Sequence, residues 1–467
     1  MWDLLYVVLF KQYYNSWVVG IGEGYCMIEK RLNDQVETEG ENSSKRLKIE
    51  DEFDDLDDTV KYDNIESSSK YTDKDTYLDT INRKILNFDL PRECATSIAT
   101  TNIHICLVCN KYLQGSSINS PAYAHSIDAN HHVFINTENG KFIVLPEQLT
   151  LSPNKEKELI DIKLAFNPEL DTELIEKFDT EPLTSQTLNK EIYNVGFVPI
   201  IDDIIVKDDT SKDNIDESTI KMTSHNAIYY SIAHLPPIRN YLINHKSSDT
   251  TPLTNQLSLL TKKIWSPYLF KKFTSSYAIE NLVVSYNLST QISSNLRLFY
   301  NWLINKLLSE NKVLKNYFTG KLVMKDVDKE NKFVNISIKL PQQSIFKDSM
   351  STSIEQYDLM KLIRDKGINI CKYPKILVIY IDRTNDLMIK GINQKLNLNI
   401  VKYDPDLLQF GENEKYRLIS NITYENKVHV FDNARKIWVE INGKSIKEVE
   451  KDLLFISNCK LQFWIKQ

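Results

Sequence analysis

Cysteine is scarce in this chain, with six residues in 467. Cys26, Cys94, Cys371 and Cys459 are scattered, and only Cys106 and Cys109 stand close together. A disulfide framework is therefore excluded, and a reducing compartment, cytosol or nucleus, is expected. An excess of positive charge is also missing. Lys and Arg number 57 against 63 Asp and Glu, for a net charge of -6. That balance argues against broad, direct binding of a nucleic acid backbone and points to protein partners. Long apolar runs are lacking too. Leu4 to Phe10, the longest apolar segment near the N-terminus, is too short to span a bilayer. It follows Asp3, with no Lys or Arg before Lys11, unlike the start of a secretory signal. No glycine-rich phosphate loop, paired-carboxylate motif or repeat of fixed period is found.

What is present suffices for two or three domains, since 42% of residues are hydrophobic and 10% aromatic. Residues 1–26 read as an extension ahead of a more ordinary polar leader opening at Met27. Residues 28–80 are acidic, with Glu50-Asp-Glu-Phe-Asp-Asp-Leu-Asp-Asp58 at their centre, and too poor in apolar groups to offset chain entropy. Residues 1–80 are thus expected to form a disordered acidic tail. Within it Lys45-Arg-Leu-Lys48 reads either as a nuclear import signal or as a basic spot in a charged tail.

From residue 81 the pattern becomes globular. Ile103 to Val108, His132 to Ile135 and the segment after Asn139-Gly140 predict strands. Lys155 to Phe166 carries helical periodicity and bridges to a second region starting near Tyr193. There Ala227, Ile228, Ser231, Ile232 and Leu235 share a helix face, with Thr223 or Ser224 as cap and Pro236-Pro237 closing the helix. Leu296, Phe299, Trp302, Leu303 and Leu307 form a second helical stripe. Ile376 to Ile381 predicts a buried strand, with further strands at 416–424, 436–441 and 461–465. Lys207 to Ser218 is expected to be a disordered loop. The fold class is α+β.

Chemistry concentrates in Cys106-Leu-Val-Cys109, followed by His125 and by His131 and His132. Two thiols three positions apart plus two imidazoles further on have the composition of a tetrahedral zinc site. On spacing alone, either His131 or His132 can be the fourth ligand. Four protein ligands leave no open position, so such a zinc is structural. His104 and Cys94 read as packing residues.

Cys106-Leu-Val-Cys-Asn-Lys-Tyr-Leu-Gln-Gly115, Ala122-Tyr-Ala-His-Ser126 and His131-His-Val-Phe-Ile135 resemble the zinc-finger domain of ubiquitin-specific proteases. More narrowly they resemble its splicing-associated, inactive branch. Leu235-Pro-Pro-Ile-Arg-Asn-Tyr241, Lys262-Lys-Ile-Trp-Ser-Pro267 and Pro374 to Arg383 extend the likeness across residues 81–467. The resemblance implies zinc ligands at Cys106, Cys109, His125 and His131, a finger with linker over 81–185, and a papain-like, ubiquitin-specific-protease fold over 190–467. Lys111 stands where ubiquitin-gripping fingers carry an arginine, and Phe142 is the nearest counterpart of their tryptophan. The later cysteine pair of those fingers is missing from Phe142 to Leu145. Lysine lacks the planar fork of arginine, which speaks against free-ubiquitin binding here.

Set against the family's active members, the second domain lacks catalytic parts. Thr223 occupies the cysteine position, and Ser218 and Lys221 replace the asparagines before it. The family's Gly-His-Tyr is absent between Tyr424 and Trp438, where His429 falls too late for the base, although Asn442 suits the orienting position. The expectation is no catalytic residue and no bound organic cofactor. The resemblance implies a nuclear, non-enzymatic splicing factor that helps assemble or stabilise the tri-snRNP. RNA contact would be indirect or minor, and no membrane is involved. The rivals are a ubiquitin or ubiquitin-like receptor without cleavage activity, and an enzyme using Thr223 or Cys371 as nucleophile.

Overall fold

The computed structural model describes residues 71–72, 77–201, 222–324, 327–341, 355–384, 399–455 and 458–467. The expected import signal, most of the acidic tail and the Lys207–Ser218 loop lie outside them.

The first region is a six-stranded sheet. β1 (Tyr71–Thr72), β2 (Ile103–Cys106), β3 (Tyr112–Gln114), β4 (Val133–Asn136), β5 (Phe142–Val144) and β6 (Leu149–Leu151) lie in the order β1-β6-β5-β4-β2-β3. Helix α1 (Pro121–Asp128) interrupts the strands between β3 and β4. The predicted strands are all present, although the first ends at Cys106 rather than Val108, where the chain bends into the cysteine turn. The helical stretch at 155–166 is two helices, α2 (Pro153–Glu158) and α3 (Ile160–Phe166), broken at Leu159. Then follow α4 (Thr172–Lys177), β7 (Thr184–Gln186), β8 (Ile192–Asn194) and β9 (Ile200–Ile201).

The second region opens with a helical layer: α5 (Ser224–Ala233), α6 (Pro236–Ile243), α7 (Pro252–Ile264), β10 (Thr274–Ser275), α8 (Tyr277–Ser285), α9 (Thr290–Ser294), α10 (Leu296–Glu310) and α11 (Lys315–Phe318). A strand-rich layer follows, made of β11 (Gly320–Met324), β12 (Val327–Phe333), β13 (Ile336–Lys339), β14 (Gln356–Asp358), α12 (Leu359–Asp365), β15 (Ile368–Lys372), β16 (Ile376–Asp382), β17 (Ile400–Lys402), β18 (Leu408–Phe410), β19 (Glu414–Thr423), β20 (Val428–Asp432), β21 (Ile437–Asn442), β22 (Ser445–Val449) and β23 (Cys459–Lys466). Its main sheet runs β13-β16-β23-β19-β20-β21-β22, with β18 on β19. β12-β11-β15 form a separate three-stranded sheet.

Two expectations are extended by the structure. Asn226 to Ala233 are all buried, so α5 has no solvent face at those positions. Pro236-Pro237 not only follow α5 but open α6, where a missing N–H costs nothing because the first turn has no acceptor for it.

Alternation along the strands divides the apolar side chains of the main sheet between two cores. Val378, Ile422, Val428, Val430, Val439 and Phe463 pack with the helices, while Leu377, Ile379, Leu418, Trp438 and Trp464 pack on the far side. The sequence motifs that extend the resemblance are fold-determining. Arg239, 1% exposed, donates to both carboxylate oxygens of Asp179 at 3.0 and 2.6 Å. Its guanidinium lies 4.5 Å from the Trp265 ring centre, and the Trp265 indole donates to Ala233 O at 2.9 Å. Gly196, at φ +87°, lies so close to Trp265 that a Cβ there would sit 2.7 Å from the ring. Arg383, likewise 1% exposed, donates to Asn399 O at 2.7 Å and Cys459 O at 3.1 Å. The two regions meet through a buried ion pair between Asp89 and Lys263, beside Phe88 and Phe270 with ring centres 6.1 Å apart.

Candidate functional site

Local backbone geometry brings the four finger residues together. The chain leaves β2 at Cys106 and doubles back at Asn110, which is left-handed at φ 61° and donates its N–H to Cys106 O at 2.9 Å. Asn tolerates this conformation better than other side chains that carry a Cβ. The turn aims both sulfurs the same way. Ser120 caps α1 and Pro121 pre-sets its first turn, placing His125 on the helix. Asn130, at φ 56°, then redirects the chain so that His131 returns toward His125. These two asparagines are positioning residues the sequence reading missed. Their signal is an Asn directly after Cys109 and another directly before His131.

The ligand atoms of Cys106, Cys109, His125 and His131 all lie within 4.8 Å of one another. Cys109 Sγ is 3.3 Å from His125 Nε2, which is 3.2 Å from His131 Nδ1. A zinc ion with nitrogens at about 2.0 Å and sulfurs at about 2.3 Å separates neighbouring ligand atoms by roughly 3.3–3.8 Å. The donor set therefore fits the metal in both chemistry and spacing. His132 is excluded as a ligand, because its Nδ1 faces Leu145 O at 2.7 Å and its Nε2 faces Asn130 Oδ1 at 2.8 Å. His104 is buried against Asn136, and Cys94 Sγ accepts from the Gln114 N–H at 3.2 Å, so both are packing residues.

The two sulfurs are electrostatically unequal. The hydrogen bond between them pushes the Cys109 thiol down to about 4 and raises Cys106, which burial raises further. A divalent cation between them takes the place of the shared proton and holds both as thiolates. Bound there, zinc supplies cross-linking of two chain segments rather than an open coordination position.

Elsewhere in the finger, Phe142 is fully buried and Lys111 is exposed. The nearest counterpart of an aromatic wall is thus a core residue.

In the second region the proposed catalytic positions diverge. Thr223 is exposed and caps α5, accepting the Asn226 N–H at 3.2 Å. The histidine nearest to it in sequence, His225, has Nδ1 3.0 Å from a Glu280 carboxylate oxygen and Nε2 3.0 Å from Ser293 O. Its ring stacks on Phe299 at 3.5 Å between centres. Helix α5 packs on the sheet face that carries Ser420, whose hydroxyl lies 2.9 Å from that of Ser231. Val428 and Val430 belong to the same core as α5, so His429 between them points to the opposite face. There His429 Nε2 meets Glu440 Oε2 at 3.1 Å and draws that carboxyl below its usual range. Asn442, two residues beyond Glu440, shares the Glu440 face by the same alternation. Cys371 is exposed on β15.

Comparison with known proteins follows this division. Residues 93–155 match a zinc-finger family found in ubiquitin hydrolases and other proteins. The pre-mRNA-splicing factor SAD1 of Saccharomyces cerevisiae is 27% identical over 451 residues, covering 84% of this chain and 93% of that protein. Human ubiquitin carboxyl-terminal hydrolase 39 is 24% identical, covering 87% of this chain and 82% of that protein. A crystal structure of an essential yeast splicing factor superposes with a TM-score of 0.72 at 28% identity, spanning 84% of this chain and 99% of the other. The resemblance read from the sequence is borne out: an α+β chain with a zinc finger of the ubiquitin-hydrolase type joined to a ubiquitin-specific-protease-like fold, similar to splicing factors. Among the described residues no helix is long and apolar enough to cross a membrane.

Proposed function

We propose that this chain is a non-enzymatic pre-mRNA splicing factor that acts in the nucleus as a docking scaffold assembling or stabilising the tri-snRNP. The observation that carries this reading is the likeness to splicing factors through both regions, with 84% of the chain superposing on one of them. The domain division proposed is an acidic tail over 1–80, whose Tyr71–Thr72 pair with β6 at the edge of the finger sheet, a finger with linker over 81–185 and a protease-like domain over 190–467. In the finger a structural zinc is held by Cys106, Cys109, His125 and His131.

The surroundings of Thr223 and His429 among the described residues support the scaffold reading over an enzyme. At the nucleophile position Thr223 spends its oxygen on a helix cap, and a threonine hydroxyl needs an adjacent base to attack. His429 lies across the sheet from α5. The decisive experiment is gentle purification of the tagged chain from its own cells, with identification of the accompanying RNAs and proteins. Spliceosomal small nuclear RNAs together with tri-snRNP proteins are the expected recovery. Ubiquitin conjugates without those RNAs would replace the scaffold with a ubiquitin receptor.

A further inference from the structure

A groove of about 690 Å³ runs between α10, α11 and the β12–β13 turn. That size lies within the range of ligand-holding clefts, about 300–1,000 Å³. Its walls carry Arg297, Lys315, Lys332 and Lys372 but no carboxylate among the described residues. None of these four cations takes part in an ion pair among the described residues, whereas Lys321 pairs with Glu330 and Lys466 with Glu414. The setting is not what the whole-chain charge suggests. The first 80 residues hold 19 of the carboxylates and only 9 cations, which leaves the remaining chain at net +4.

The neutral lining narrows the occupant. On α10, Arg297, Asn301, Asn305 and Ser309 recur every fourth residue and so form one stripe along the groove wall. Asn335 faces them from the β12–β13 turn and is tethered to Asn301, and Asn316 adds a further amide from α11. An asparagine offers both a donor and an acceptor. The Asn335 side-chain oxygen Oδ1 is buried and accepts no hydrogen bond among the described residues. A peptide backbone alternates N–H and C=O and satisfies both kinds of group, whereas a phosphodiester backbone supplies acceptors. Among the described residues the lining offers no base-stacking platform, because its aromatic residue, Phe333, is buried at 9% exposure.

We propose that this groove is a docking site for an extended acidic segment of a partner protein, the cations pairing with its carboxylates and the asparagines with its backbone amides. The site is independent of which assembly the chain joins.

The test uses the full chain and fluorescence anisotropy with a labelled peptide of alternating glutamate and serine. Oligouridylate of equal charge and a backbone N-methylated copy of the peptide serve as comparators. The peptide is expected to bind, and the combined variant Lys315→Glu, Lys332→Glu, Lys372→Glu to weaken it at least about tenfold. A control reversing exposed Lys141, Lys190 and Lys361 should leave affinity within about twofold. N-methylation should cost a comparable loss, since it removes the donors the asparagines read. Thermal melting verifies that both triple variants fold, and should the groove variant melt early, protection of Lys315 and Lys332 from acetylation by bound peptide in the unmodified chain gives the same answer. Equal binding by the two triple variants, or by the N-methylated peptide, overturns the site. Tighter binding of oligouridylate that is lost in the groove variant replaces it with a nucleic-acid site.

Discussion

The finger and the protease-like domain each present residues of catalytic or metal-binding type, and they treat them in opposite ways. In the finger, four donors from two short segments converge until their ligand atoms lie within 4.8 Å. In the larger domain, Thr223 and His429 belong to a helix and a strand that pack together, yet His429 is turned to the far face of the sheet. Convergence therefore depends less on nearness in the fold than on which way the backbone aims each side chain. Two left-handed asparagines supply that aim in the finger. On β20, strict alternation removes it.

The comparison breaks most visibly if the finger folds without metal. Structural zinc in such modules contributes about 10–16 kcal/mol near neutral pH. Chelation, or Cys106→Ser, should abolish hydrogen-exchange protection across β2 to β4 while the protease-like domain keeps its own melting transition. Unchanged exchange would discredit the ligand set. One zinc per chain by elemental analysis is the matching count.

A smaller loss is expected at the clasp of the larger domain. Arg239→Met strips the charged partner from Asp179, which keeps the Asn433 amide at 3.0 Å, and removes the guanidinium stacked on Trp265. Breaking a buried pair from one side costs about 3–5 kcal/mol, and Asp179 is one-third exposed, so the lower end is expected by chemical denaturation. A cost near zero would show that Trp265 and its apolar neighbours alone fix α6.

Thr223→Cys tests the divergence itself. Loss of the cap should cost about 1 kcal/mol. The new thiol should form no adduct with a ubiquitin-derived electrophilic probe, because among the described residues His225 is engaged by Glu280 and Ser293 O and His429 lies on the far face of the sheet. Covalent capture would show that a proton acceptor reaches α5 after all.

The smallest effect concerns acid. The Glu440 carboxyl is held below its ordinary value by the His429 hydrogen bond, against the opposing effect of burial. Its stabilising contribution is thus present above the ordinary carboxylate range and lost as pH falls through the lowered value. Glu440→Gln should flatten the fall in melting temperature between about pH 5 and pH 3. An unaltered slope would mean that the pair contributes nothing.

Much of the fold was legible in advance because apolar alternation reports burial directly. Ile376 to Ile381 is a run of buried residues at the heart of the main sheet, as its composition implies. Leu296, Phe299, Leu303 and Leu307 are buried on α10 as their spacing predicts, while Trp302 of the same stripe is only partly buried. The role of the two prolines after α5 was less legible, since proline ends one helix and begins another with equal ease. The choice between His131 and His132 was open to spacing. The family resemblance pointed to His131, and the structure supplies the physical reason, because both His132 nitrogens are committed to Leu145 and Asn130. The clasp of Arg239 on Asp179 joins residues 60 apart in sequence, and no local pattern announces it.

By itself the sequence determined the periodicities, the zinc-binding residue types and the likeness to splicing-associated relatives, because each is carried by local spacing along the chain. Tertiary structure decided what withholds His132 from the finger's ligand set, on which face His429 lies, and that four cations without an ion pair among the described residues share one groove with a stripe of asparagines. Those outcomes depend on where separate segments are aimed in space, a property that emerges only when the strands are paired and the helices packed upon them.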